Sequence, residues 1–232
     1  MLLAGTVVAA CNFELADPEY IRWPESELLV YLTGAIAQIA ALKPTLYYSY
    51  VPLGLAAGVV QTVPQEYSHL IDILYNLNSD GSPGDSISQG SFTAARALGQ
   101  PSCAGTRDGR YVVRSYTIHP ESDSSFFVDP AAPESSPTAA VMALVQLAPR
   151  PTTALTDAVV MANTTPEMYQ EALKDWVLYR AFAKDTESSD SQARSQAHYR
   201  AFMQFLGVPP RDKNAVPVAA SSRETVSGAS TV

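Results

Sequence analysis

Apolar positions along this chain follow two different periods, and the change between them divides it. From about 24 to 43 they recur at helical spacing, as Leu28, Leu32, Ala35, Ile36, Ile39 and Leu42. Pro24 suits a first helical turn, and Glu25 and Glu27 suit the positive end of the helix dipole. Pro44 stops the pattern, with Lys43 at the negative end. The opposite side carries Val30, Ala37, Ala40 and Ala41, and no charge occurs between Glu27 and Lys43. A helix apolar on both sides is covered on both sides. A membrane span needs ~20 apolar residues, and this stretch is shorter and holds Thr33, Gly34 and Gln38. It reads as a helix between its own core and a neighbouring subunit.

Between 46 and 147 the pattern becomes that of strands. Leu46 to Leu53 is rich in Tyr and Val, Gly54 and Gly58 flank a hairpin region, and Val59 to Val63 and Leu70 to Leu77 continue the series. Asn78 to Gly84 is dense turn chemistry. Ile87 to Leu98 reads as a short helix. Arg110 to Ile118 reads as one strand with Tyr111, Val113, Ser115 and Thr117 on one face. Phe126 to Val128 and Ala139 to Leu147 complete an antiparallel subdomain of five or six strands, with loops at Pro120–Ser125 and Pro130–Pro137.

Helix returns near Thr164, where Thr164 and Glu167 match a capping box and Pro166 sits in the first turn. Ala172, Leu173, Trp176, Val177, Arg180 and Ala183 carry it toward Asp185. After a turn at Thr186–Ser191, a last helix bears Ala197, Ala201, Phe202, Phe205 and Leu206 and ends at Gly207, an αL cap. The expected fold class is α+β: a helical bundle of the N-terminal helix (24–43) and two C-terminal helices (166–185 and 192–206), an inserted antiparallel β subdomain, and an extended C-terminal tail. The expected divisions are 1–45, 46–152, 153–207 and 208–232.

The N-terminus carries an ambiguous signal. Met1 to Ala10 is apolar, and Val8-Ala9-Ala10-Cys11 resembles a lipoprotein cleavage box. A secretory leader needs a basic segment ahead of its apolar run, and no Lys or Arg precedes Arg22. A short buried helix ending near Asn12 is the better reading; a secreted or lipid-anchored binding module is the alternative.

Composition narrows the function. Charged residues make up 16%, against ~25% in a usual soluble domain, which suits a surface covered by neighbours. The net charge of −8 makes a poor phosphate binder, though not a poor lining for a passage through which DNA slides. Cys11 and Cys103 lie far apart and show no metal or disulfide spacing, so they read as two buried thiols. His69, His119 and His198 have no HxxxH or HExxH partner, and His198 reads as a helix-flank residue. Gly84-Asp85-Ser86-Ile87 resembles the nucleophile block of one hydrolase group, yet no Asp stands three residues before any His. Asp123, Asp129 and Glu134 read as solvated loop acids, and Trp23 and Trp176 as core or interface packing. No catalytic, metal or cofactor residue emerges, and a non-enzymatic protein is expected.

Leu15, Asp17, Arg22, Trp23, Glu27-Leu28-Leu29, Tyr31-Leu32, Ala35 and Gln38 resemble the opening of the head-to-tail adaptor proteins of tailed phages. Asp80-Gly81 with Pro83-Gly84 is similar to that family's turn after its early strands. Trp176 to Asp185 and His198-Tyr199-Arg200-Ala201-Phe202, with Leu206-Gly207-Val208, are similar to its last two helices. Gly34 departs from the larger polar residue common there. The resemblance implies a virion protein assembled in the host cytoplasm. It implies a ring, usually of twelve copies, under the portal, which extends the DNA channel without sequence-specific binding. The ring is a platform for tail tube, nozzle or fibre proteins. The family carries no known catalytic residues. The residues expected to meet partners are Arg22, Trp23, Tyr179 and Arg180, together with Arg211, Lys213, Val216, Val218, Arg223 and Val226 of the tail.

Overall fold

In a computed structural model of the chain, the structure describes residues 1–91, 106–107, 110–122, 124–133, 139–184 and 189–208. It is α+β, with four α-helices and ten strands among the described residues.

The apolar N-terminal run forms α1 (Ala4–Leu15), three residues longer than expected, and its Val7, Val8 and Cys11 are fully buried. α2 (Glu25–Leu42) buries Leu28, Leu29, Leu32, Ala35, Ile36, Ile39 and Ala40. By length and composition α2 could cross a bilayer, but this stripe packs against protein. After a 3-10 turn at Pro166–Tyr169 comes α3 (Gln170–Lys184), which buries Ala172, Leu173, Val177, Leu178, Ala181 and Phe182. α4 (Ser189–Phe205) closes the layer with Ser195 and Phe202. All four helices feed one apolar cluster, in which Leu28, Leu32, Ile36 and Ile39 join Leu173 and Phe202, and Trp176 lies at its margin.

Two expectations about the helices need correction. Thr164 and Glu167 do not form a capping box: no side chain caps the 3-10 turn, and Glu167 turns instead to the amino group of Met1. α4 begins at Ser189 rather than 192, and Ala197 and Phe205 lie on its exposed side. Its inward line runs Ser195, His198, Phe202, Leu206, a spacing of three and four that the alanines had masked. Gly207 takes φ +64° and ends the helix, as an αL cap requires.

The strands build two four-stranded sheets. β1 (Tyr48–Gly54), β10 (Ala140–Leu147), β3 (Tyr67–Leu77) and β4 (Pro83–Ser86) form one sheet in that order. β2 (Gly58–Thr62), β9 (Ser125–Ala132), β8 (Ser115–Ile118) and β5 (Ser88–Gln89) form the other. β6 (Thr106–Arg107) and β7 (Arg110–Tyr111) make a small ribbon. Leu53, Leu70, Ile73, Val141, Ala143 and Val145 from the first sheet share a second apolar cluster with Tyr116, Phe126 and Val128 from the other. The period-2 pattern of β9 and β10 sends Phe126 and Val128, and Val141, Ala143 and Val145, into it.

The β region departs from the sequence reading in six respects. It has more strands than five or six, and β5 pairs parallel to β8 rather than antiparallel. Gly54 and Gly58 do not flank a hairpin: β1 pairs with β10, and β2 pairs with β9 in the other sheet. The Gln61 amide holds that crossover by taking the N–H of Ala56 at 2.7 Å and donating to the carbonyls of Ala56 and Gly58. Residues 87–91 are extended rather than helical, with Ile87 buried between the sheets; 92–98 lie outside the described residues. Arg110 to Ile118 is broken into β7 and β8, because the Asn76 side chain takes both the N–H and the carbonyl of Val113, each at 2.8 Å, in place of a strand partner. Pro130 to Ala132, expected in a loop, extend β9.

Residues 148–165 run back over the helices as an irregular strap. The N–H groups of Ala4 and Gly5 donate to the carbonyls of Asp157 and Leu155, Thr33 and Thr152 exchange hydroxyl contacts, and Asn163 donates to Leu46 and Thr45. Gly5 permits the approach: a Cβ there would stand 3.0 Å from the Leu155 carbonyl oxygen.

Candidate partner-binding surface

The turn between α1 and α2 is organised by one carboxylate. Asp17 accepts hydrogen bonds from the backbone N–H groups of Ile21, Arg22 and Trp23, at 3.0, 2.9 and 2.9 Å. These bonds, that of Trp23 foremost, hold its carboxyl below the usual carboxylate range. They fix where Trp23 enters the core: the indole is buried, donates its N–H to the Ala181 carbonyl at 3.1 Å, and meets the Phe182 ring edge-on. Arg22 lies on the outer face of that indole, 5.0 Å from its centre. Trp23 is thus an anchor beneath the surface, and Arg22 the residue it presents.

Beside it, Glu27 accepts from Lys184 at 2.7 Å and from the Tyr31 hydroxyl. Partial burial works against the Glu27 charge, but these two bonds outweigh it and keep the carboxyl low. Burial, with the adjacent carboxylate, pushes the Tyr31 phenol up to about 12. Arg180 stands 5.4 Å over the Tyr31 ring. Trp176 fills the groove between α2 and α4: its ring lies 4.9 Å from Phe202, and a Cβ on Gly34 would meet its Nε1 at 3.4 Å. Tyr179 continues the row, 5.3 Å from Trp176 and 5.1 Å from Tyr199, which is exposed.

The outer side of α3 and α4 therefore carries Trp176, Tyr179 and Tyr199 in a row, with Arg180 over Tyr31 of α2 and Arg22 over Trp23. Tyr, Trp and Arg are the residues over-represented in the energetic centres of protein interfaces, where they give large rigid contact area at small entropy cost. The structure brings Tyr179 and Arg180 onto this surface with Arg22 on its flank. Arg211, Lys213, Val216, Val218, Arg223 and Val226 lie outside the described residues, as do Cys103, Asp123 and Glu134.

His198 is not the simple flank residue its sequence neighbours suggested. Its Nδ1 is 2.9 Å from Asp175 Oδ1, its Nε2 is 3.4 Å from Glu14 Oε1, and its ring stacks on Phe182 at 5.7 Å. It ties α4 to α3 and α1 beneath the aromatic row. Asp175 and Glu14 are remote from it in sequence and no motif marks them; the helical spacing of His198 with Phe202 was the one available sign. Ser86 is exposed at the end of β4, pairing with Tyr75, with no turn of the kind a hydrolase nucleophile needs.

A family model described as SU10 adaptor protein matches residues 3–223, nearly the whole chain. No curated protein matches it.

Proposed function

This chain belongs to the SU10 adaptor protein family, a family of phage structural proteins, and from that premise we propose that it forms a ring beneath the portal of a tailed phage. In this reading about twelve copies stand side by side, extend the DNA channel, and offer a platform on which tail tube, nozzle or fibre proteins assemble, identical subunits closing into a ring by cyclic symmetry. The observation that carries the reading is the family match over nearly the whole length. The outer surface of α2, α3 and α4 supports it: an aromatic row with two stacked arginines suits docking on another protein better than contact with solvent alone. The helices and the strap from residue 153 on form the body of the subunit, residues 46–152 form the appended β unit, and residues 208–232 form an arm that reaches along the portal or a neighbouring copy. An acidic chain suits a passage in which DNA moves without adhering.

The test is assembly. Particles made without this chain are expected to package DNA yet fail to join tails, and purified adaptor is expected to bind purified portal. Normal tailed particles in its absence would overturn the reading. Tyr179→Ala and Arg180→Ala together are expected to weaken portal or tail attachment while leaving the fold intact, since Arg180 is exposed and Tyr179 half-buried.

A further inference from the structure

α1 turns its stripe of Val7, Val8, Cys11 and Leu15 inward and meets α3 there, with the Cys11 thiol directed at the Lys174 carbonyl and Glu14 3.7 Å from the Lys174 ammonium. A helix advances about 100° per residue, which puts Phe13 on the far side of α1 from that stripe. Phe13 is 90% exposed, and Ile21, in the turn that follows, is 77% exposed. Thr6 and Ala9, on the same line of α1 as Phe13, are exposed too. The turn is a rigid mount: Ala16 and Tyr20 both stand at φ +53°, a left-handed conformation that side chains rarely adopt, and Asp17 pins residues 21–23. Around α3, Trp176, Tyr179 and Arg180 lie about 140–240° from Lys174, the residue that meets α1. The Phe13 corner and the aromatic row therefore occupy opposite sides of the helix layer.

We propose that the α1–α2 corner of one copy, led by Phe13 and Ile21, seats on the row of Trp176, Tyr179 and Tyr199 in the next copy. A phenyl ring against an indole and two phenols gains aromatic contact beyond the area it buries. The charges on the two faces match. Glu19 on the corner is exposed, and Arg180 beside the row is exposed with its guanidinium over Tyr31; among the described residues neither has an ion-pair partner, so each completes the other. Glu14, next to Phe13, and Glu27, bonded to Tyr31, are already matched by Lys174 and Lys184. Arg22, Glu25 and Arg200 are exposed and stay at a wet rim. Two unlike faces on opposite sides of one chain are what a head-to-tail contact needs, and such a contact closes into a ring when the rotation between copies allows it. A portal or tail protein would need no counterpart of the row on this chain. The proposal rests on the adaptor reading and names the next copy as the partner of the helical surface, through which substitutions at Tyr179 and Arg180 act on attachment by way of ring closure.

The experiment places a photo-activated phenylalanine analogue at position 13 of the full chain and assembles the protein on purified portal. Val60, 59% exposed on β2, is the control position. Irradiation is expected to join position 13 to a peptide within 176–199 of a second adaptor copy. Arg180→Glu is expected to abolish that product with the melting temperature unchanged, and Glu19→Arg in the same chain is expected to restore it. Failure of the second change to restore the product, products formed with portal instead, or a yield no higher than from position 60 would overturn the contact while leaving the adaptor reading in place. Adaptor that never binds portal would overturn both.

Discussion

Asp17 is a single buried carboxylate whose three backbone bonds decide where Trp23, and through it Arg22, stands. Its effect on stability with pH has a definite sign. The folded-state pKa lies below the unfolded value, as it does for Glu27. The stability both groups contribute is therefore fully present above the unfolded carboxylate range of ~4, and is lost as pH falls through the folded values. Thermal melts of the wild type from pH 7 to pH 3 are expected to show this loss, and Asp17→Asn is expected to lower stability at pH 7 and flatten the acid limb. An acid limb unchanged in Asp17→Asn would remove the carboxylate from this role. His198 poses a separate question, because its two carboxylate partners belong to α1 and α3. His198→Ala removes both links and the stack on Phe182, and is expected to cost about 1–3 kcal/mol in denaturant unfolding. A loss no larger than that of a neighbouring exposed site such as Gln196→Ala would show that the tie between helices is idle.

Helices were legible in the sequence where one face was strongly apolar and the ends were punctuated. α2 runs one residue inside each expected bound because Pro24 and Pro44 fix it, and Gly207 ends α4 for the reason its φ shows. Leu32 lies at the centre of the α2 stripe, fully buried; Leu32→Ala is expected to cost on the order of 2–5 kcal/mol, read from denaturant midpoints. Strand existence was also legible, but strand partnership was not. The sandwich is organised by two buried amides, Gln61 and Asn76, whose side chains stand in for ladder partners. In one sequence an amide between apolar residues looks like an ordinary solvent-facing position of an alternating strand. Asn76→Ala would leave the Val113 N–H and carbonyl buried without partners, at about 1–3 kcal/mol for each such group, and is expected to be more destabilising than its small size suggests. The candidate surface was half legible for a related reason. Tyr179 and Arg180 could be read as outward residues on a helix, but the groove that seats Trp176 needs α2 and α4 together, contacts that no local pattern encodes.

At the scale of the molecule, the question is what turns one marginal surface into an assembly. Free adaptor is expected to be a monomer or a weak oligomer, since no single long hydrophobic seam runs over the surface of the described residues, and portal is expected to template the closed ring. Sedimentation of the protein alone and then with portal distinguishes the cases; a stable ring without portal would contradict the order of events. Residues 208–232 bear on the same step. Pro209-Pro210 prevents α4 from continuing, and the segment holds no aromatic residue that could anchor a core of its own. Fixing such a chain costs ~1–2 kcal/mol per residue, so a bound arm must recover that from a partner through backbone hydrogen bonds and the small apolar contacts of Val216, Val218 and Val226. Its three cations, Arg211, Lys213 and Arg223, add little by themselves, because exposed ion pairs are worth ~0–1 kcal/mol each. Deletion of 211–232 therefore separates assembly from folding. The melting temperature is expected to stay unchanged, since no described core residue is removed, while portal docking is lost. Undiminished docking of the truncated protein would assign the whole contact to the helical surface and leave the arm without a part in it.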